Sequence, residues 1–149
     1  MLIIEPANPT DPGPRALLEQ SHALMQELFT PEENFFLGFD ALAAPEVHFV
    51  IAREGETLLA TGAVVQMEGY CEVKSMYTAA SARGRGVASA VLRALEDHAR
   101  GLNAARMMLE TGEALASAIR LYERHGFVRC ALFGDYTPND VSVYMEKTL

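Results

Sequence analysis

The chain has 149 residues, 50% of them hydrophobic and 21% charged, with a formal net charge of -8. That length suits one domain around one core, and that composition suits a folded globular protein rather than a disordered chain. The acidic balance disfavours a nucleic-acid partner, no apolar run is long enough to cross a bilayer, and the first residues lack the basic-then-apolar pattern of a secretory signal. The expectation is a cytoplasmic protein with neither a nucleic-acid nor a membrane partner.

The distribution of charge is more informative than its total. Residues 1–70 carry eleven acidic and two basic residues, and residues 71–149 carry nine acidic and ten basic ones. Any polyanionic ligand therefore belongs with the second half, unless the first-half acids merely solvate helix faces. Cys71 and Cys130 are far apart and match no metal-ligand spacing, so they read as buried free thiols and no metal site is expected.

In chain order, residues 2–4 read as a short strand and residues 6–14 as a proline-dense loop. Residues 15–29 place Leu17, Leu18, Leu24, Met25 and Leu28 on one side of an amphipathic helix. Thr30, Pro31 and Glu33 have the signature of a second helix start, with a capping box. Strands over residues 47–52, 57–67 and 70–78, separated by turns at Gly55 and Gly69, predict an antiparallel meander. In the third strand Cys71, Val73, Ser75 and Tyr77 alternate with Glu72, Lys74, Met76 and Thr78.

A helix from Val87 to about Arg100 has Val87, Val91, Leu95 and Ala99 as its stripe and Arg93–Asp97 and Glu96–Arg100 as candidate pairs, with Gly101 as its stop. Residues 106–111 form a strand with a continuous apolar centre, hence one buried on both faces. Residues 116–125 form a helix ended by Gly126, with Phe127 placed for the contact of a Schellman stop. Strands over residues 127–132 and 141–147 close the chain.

The segment joining the third meander strand to the Val87 helix carries the chemistry. It contains Arg83-Gly84-Arg85-Gly86-Val87-Ala88-Ser89. Glycines let backbone approach a ligand, and a helix start offers unpartnered amides and positive potential, both suited to phosphate. Arg83 and Arg85 can add charge-assisted bonds. Gly84-x-Gly86-x-x-Ser89 falls short of a dinucleotide fingerprint, whose third position is Gly or Ala and which opens a βαβ unit. There is no Gly-Lys-Ser/Thr for a P-loop, and a purely structural glycine turn remains an alternative.

Wider context separates these readings. The pattern Arg-x-x-Gly-x-Ala at Arg83, Gly86 and Ala88 resembles the acetyl-CoA signature of the Gcn5-related N-acetyltransferase (GNAT) superfamily. Leu109-Glu110-Thr111-Gly112 and the stretch from Ala118 through Leu121-Tyr122-Glu123 to Gly126-Phe127 resemble its next motif. Together with Lys74-Ser75-Met76 and Phe133-Gly134-Asp135-Tyr136, they are similar to a small, mostly uncharacterised bacterial subgroup. The resemblance spans essentially the whole chain. It implies an α/β fold of layered α+β type, with a mixed, mostly antiparallel sheet of roughly six or seven strands flanked by about four helices. Its central strands would splay to form the acetyl-CoA cleft.

The resemblance also implies roles. Backbone groups of Met76 and Thr78, with Tyr77 between them, would pair with the pantetheine arm of acetyl-CoA, a co-substrate. Amides of Gly84, Arg85, Gly86, Val87, Ala88 and Ser89 would hold its pyrophosphate. The Met76 amide would face the developing oxyanion, and Tyr122 would protonate the leaving sulfur. Many members have Asn where this chain has Leu115, which removes one familiar cofactor contact. Acetyl transfer to an amine also needs a base, for which Glu72 and Glu110 are candidates unless they serve as salt-bridge partners of Lys74 or Arg106. Direct attack then needs no cysteine. His22, His48, His98 and His125 titrate near neutrality when unperturbed, but His125 ends a helix and His98 flanks one. The expected partner is a small-molecule or peptide amine, cationic in keeping with the acidic first half, such as a polyamine, amino sugar or peptide N-terminus. A homodimer is one arrangement the sequence admits. The competing classes are an acyl-CoA sensor without catalysis and an interaction domain.

Overall fold

The computed structural model describes residues 1–149. Its elements are β1 (Leu2–Pro6), α1 (Pro12–Leu28), a 3-10 turn (Pro31–Glu33), α2 (Phe39–Leu42), β2 (Val47–Glu54), β3 (Thr57–Gln66) and β4 (Tyr70–Thr78). A second 3-10 turn (Ala80–Ala82), α3 (Val87–Gly101), β5 (Arg106–Gly112), α4 (Ala116–Arg124), β6 (Val128–Arg129) and β7 (Ser142–Thr148) follow. One seven-stranded sheet runs β1-β2-β3-β4-β5-β7-β6, and its only parallel pair is β4–β5. This is the mixed α/β architecture expected, with the predicted meander at β2-β3-β4.

Two cores sandwich the sheet. On one face the α3 stripe of Val87, Val91, Leu92, Leu95 and Ala99 is buried against Val64, Cys71, Val73, Met107, Leu109 and Met145. Contact there is close: a Cβ at Gly62 would lie 2.5 Å from Val91 Cγ1 and 2.9 Å from Met76 Sδ. Leu95 is fully buried, so its truncation to Ala costs roughly 3 kcal/mol. On the other face α1 buries Leu17 and Leu18, the latter in a smaller core with Leu42, Phe49, Ile51 and Ala63.

Several boundaries depart from expectation. Helix α1 starts at Pro12, three residues earlier than predicted, because Pro12 and Pro14 fall in the first turn, where a missing N–H costs nothing. The Thr30 capping box forms, with the Glu33 side chain accepting from the Thr30 amide at 3.0 Å, but it opens only one 3-10 turn. The left-handed stop after α3 is Asn103 (φ 59°) rather than Gly101. The Glu96–Arg100 pair forms and Glu96 also binds Lys147, while Arg93–Asp97 does not pair. β6 is cut to Val128–Arg129 because the chain then leaves the sheet. Cys71 is buried as expected, whereas Cys130 is half-buried; both are free. At α4 the predicted stop is present: Gly126 is left-handed (φ 90°), and Phe127 N–H donates to Tyr122 O at 3.0 Å.

The largest departure is in β4. Ala63 faces Lys74, but Thr61 faces Tyr77, so β4 carries one extra residue there. Ser75 takes a left-handed conformation (φ 55°) to absorb it, a bulge that costs on the order of 1–2 kcal/mol in a non-glycine residue. The bulge resets the alternation, so Met76 packs into the α3 core with Cys71 and Val73 instead of sharing a face with Glu72 and Lys74.

Candidate active site

The strands β4 and β5 part company. They pair only from Tyr70↔Arg106 to Glu72↔Met108. Beyond that, β4 stays with β3 as far as Thr78↔Ala60, and β5 stays with β7 as far as Gly112↔Ser142. A wedge therefore opens through the sheet, with one edge of β4 exposed to it. Ala79 N–H donates to Leu59 O on β3 at 2.8 Å. By the alternation of an extended strand, the backbone groups of Met76 and Thr78 point to the opposite, open edge. Thr78 O is held there by Arg83 Nε at 3.2 Å.

On the α3 side of the wedge lies a corner of unused donors. Gly84 and Gly86 both have φ 76°, with open space where a Cβ would stand, so glycine serves here for its left-handed backbone. The first backbone bond of α3 runs from Ala90 N–H to Gly86 O at 3.1 Å, and the amides of residues 84–89 donate to nothing in the protein. Six consecutive free amides, at the positive end of a 15-residue helix, make a corner suited to an anion. The side chains nearby are less free. Arg85 pairs with Glu54, Arg83 lies 5.9 Å from the Tyr77 ring, and Ser89 Oγ is 3.0 Å from His125 Nε2. Tyr122 is buried in the same core (6% exposed), its ring 5.7 Å from Phe127. No protein group bonds its hydroxyl, yet the oxygen is not sealed from solvent. Burial, with the charge of Glu110 adding, holds its phenol far above the ordinary range, so it keeps its proton.

On the α1 side, Glu72, Lys74 and Glu110 converge from the two parting strands. Lys74 Nζ lies 3.3 Å from Glu72 Oε2 and donates to Phe35 O at 3.1 Å. It also donates to the Tyr136 hydroxyl, which in turn donates to Glu72. Burial first, then the charge of Glu72, raises the Tyr136 phenol well above its usual range. Glu110 has no such cation. Ser142 Oγ donates to its Oε2 at 2.7 Å, with Asn139 Nδ2 on Ser142 at 2.9 Å. Burial raises the Glu110 carboxyl above the usual carboxylate range and Glu72 adds to this, while Ser142 and Lys74 oppose it.

Of the predicted site residues, the wedge thus gathers Glu72, Glu110, Tyr122, Met76 and Thr78, with the loop of residues 83–89 at one end. Arg106 pairs with Glu146 instead of either candidate base. The histidines stand apart. His48 and His98 stack at 3.6 Å, His22 stacks on Phe36 at 4.2 Å, and His125 braces Ser89. Sequence reasoning missed Phe35, Ser142 and Tyr144. The alternation of Ser142 and Tyr144 against the core residues Val143 and Met145 was the available signal. No cluster of three or more His, Cys, Asp or Glu side chains is placed to hold a metal ion.

A sheet parted in this way, with an anion corner on one face and titratable groups on the other, is the framework of an acyl-transferring enzyme. The sequence matches the Acetyltransferase (GNAT) family over residues 15–127. An IAA acetyltransferase of Azospirillum brasilense is 36% identical over 135 residues, 89% of this chain and 88% of that protein. The uncharacterized N-acetyltransferase YsnE of Bacillus subtilis (strain 168) is 37% identical over 136 residues, covering 89% and 90%. The solved structure of a proposed acyl-CoA N-acyltransferase from Klebsiella pneumoniae has a TM-score of 0.84 at 32% identity, covering 100% of this chain and 98% of that one. An aminoglycoside 6'-N-acetyltransferase complexed with coenzyme A shares the fold, with a TM-score of 0.76 at 15% identity and coverage of 98% and 96%. The chain belongs to the GNAT family of acetyltransferases, whose members use acetyl-CoA. No helix is long and apolar enough to cross a membrane.

Proposed function

We propose that this protein transfers the acetyl group of acetyl-CoA directly to a primary amine, with the two substrates meeting in the wedge from opposite faces of the sheet. The observation that carries the reading is the run of free amides at residues 84–89, continuous with the open edge of β4 at Met76 and Thr78. A pyrophosphate satisfies the first set, and an amide-bearing arm such as pantetheine satisfies the second by adding to the strand edge. Acetyl-CoA supplies the acyl group already activated as a thioester.

The chain's own groups account for the protons. Glu110 takes one from the acceptor ammonium, and its burial-raised carboxyl is closer to neutrality than an exposed one. The Met76 amide, fixed by the bulge at Ser75, donates to the carbonyl oxygen as charge develops, a kind of contact worth about 3–4 kcal/mol. As the new C–N bond forms and the C–S bond breaks, Tyr122 gives its proton to the departing sulfur, and the second proton that the nitrogen sheds on becoming an amide restores the Tyr122 phenol. Glu72, bound by Lys74 and Tyr136, anchors the site and leaves Glu110 as the base. Cys71 and Cys130 need take no part, and burial raises both thiols.

The test is free-thiol release from acetyl-CoA across a panel of amines, with acetyl-CoA affinity measured separately by calorimetry. Amine-dependent thiol release with matching acetylated product is expected. Tight acetyl-CoA binding with no amine-dependent release would make the protein a sensor, and no binding would overturn the reading.

A further inference from the structure

The acceptor side of the wedge is built around a neutralised pair rather than two free carboxylates. The side chains of Lys74 and Glu72 are only 14% and 8% exposed, so this is a buried pair. The three N–H groups of the ammonium are matched by Phe35 O, the Tyr136 hydroxyl and Glu72. That leaves Glu110, whose only bonded partner is the neutral Ser142 hydroxyl, as the one uncompensated charge of the group.

The surrounding wall is aromatic. Phe35, Tyr70, Phe133, Tyr136 and Tyr144 form one network of edge and tilted contacts with centroids 5.2–6.0 Å apart. All but Tyr144 remain partly exposed. The acids of the first half whose partners are seen are engaged elsewhere: Glu5 with Arg53, Glu19 with Arg15, and Glu54 with Arg85.

We propose that the acceptor is a primary monoamine with a flat aromatic or apolar body, and that Lys74 is the specificity-determining residue that restricts it to one positive charge. The proposal rests on the amine-transfer reading and narrows it. Glu110 serves a single ammonium, and the rings receive the body of the molecule by stacking and apolar contact. A second ammonium brought into the same wall finds Glu72 already occupied by Lys74 and no free carboxylate to receive it, in surroundings too buried for water to do so. A monoamine with a heavily hydroxylated body must leave its hydroxyls unpaired against rings. Lys74 acts here through charge and through holding Phe35 and Tyr136 in place, not through contact with the reacting atoms.

The experiment compares kcat/KM for tyramine, spermidine and glucosamine at saturating acetyl-CoA, in the wild-type protein, in Lys74→Met, and in the double variant Lys74→Met with Glu72→Gln. Lys74→Met exposes the Glu72 charge, whereas the double variant leaves no orphaned ion and so guards against simple misfolding. The wild type should prefer tyramine to each of the others by tenfold or more. Lys74→Met should move the spermidine-to-tyramine ratio at least tenfold toward spermidine, and the double variant should move it back. Acetyl-CoA affinity should stay within threefold throughout. Absence of tyramine turnover, equal or better use of spermidine or glucosamine by the wild type, or an unmoved ratio in Lys74→Met overturns the proposal. If acetyl-CoA binds and another amine is turned over, the narrowing fails and the transferase reading stands; if acetyl-CoA does not bind, or binds with no amine turned over, the broader reading has failed first.

Discussion

The two mouths of the wedge are made of different material. The donor corner consists of backbone: six amides in a row, two left-handed glycines and the edge of a strand. The acceptor mouth consists of side chains from five segments, at Phe35, Glu72 with Lys74, Glu110, Tyr136 and Ser142. A ligand common to a whole family can be held by backbone, which side-chain substitution leaves intact provided the glycines keep their conformation. A ligand particular to one enzyme needs a surface that point substitutions can change. On the proposed function, the acceptor mouth is therefore where this protein's specificity would reside, and the donor corner is where the feature common to the GNAT family would lie.

That division can be broken in order of severity. Chemistry should suffer most from the two groups proposed to move protons. Tyr122→Phe and Glu110→Gln are each expected to lower kcat about 100-fold or more, the usual worth of an acid or base, with acetyl-CoA affinity within threefold by calorimetry. Loss of affinity in step with rate would make either residue structural. Next comes the donor corner. Gly86→Glu should weaken acetyl-CoA binding roughly 30- to 100-fold, since it places an anion at the corner and strains φ 76° by about 1 kcal/mol. Gly86→Asn, which tolerates that conformation, should retain most of the affinity. An equal loss in both would attribute the effect to strain rather than charge.

Smaller effects sharpen the same contrast. The Glu110 carboxyl is raised by burial, so activity should fall as pH drops through a point above the ordinary carboxylate range. That acid limb should be missing from the residual activity of Glu110→Gln. Stability should move the other way. A carboxyl whose pKa is raised on folding favours the protonated form, so its contribution is fully present in acid and is lost as pH rises through the raised value. Glu110→Gln should therefore unfold at higher urea than the wild type at pH 7, with the gap closing near pH 4. Equal midpoints at pH 7 would mean that burial costs the carboxylate nothing. The least change is expected from Arg85→Ala. Its side chain is exposed and paired with Glu54, so stability should shift by less than about 0.5 kcal/mol, and acetyl-CoA affinity by under tenfold.

The same contrast explains what could be read from the sequence. The donor corner is local, and its glycines, arginines and helix start lie within seven consecutive residues, 83–89. The amphipathic stripe of α3, the buried centre of β5 and the Gly126 stop were legible for the same reason, since each follows from spacing along one element. The acceptor mouth was not, because Phe35 and Tyr136 meet at Lys74 only after the sheet has formed. The bulge at Ser75 was also hidden. Strict alternation was the simplest reading of residues 70–78, and no glycine marked the left-handed residue. The shortened β6 has a related cause: residues 127–132 suit a strand by composition, but the chain turns away after Arg129 to carry Phe133 and Tyr136 over the wedge.

The donor corner is tested most directly, residue by residue, by amide chemical shifts of the isotope-labelled protein during titration with coenzyme A. The largest changes should fall on the amides of residues 84–89 and on Met76 and Thr78 along the open edge of β4. Binding that left those amides unmoved and shifted others instead would contradict it.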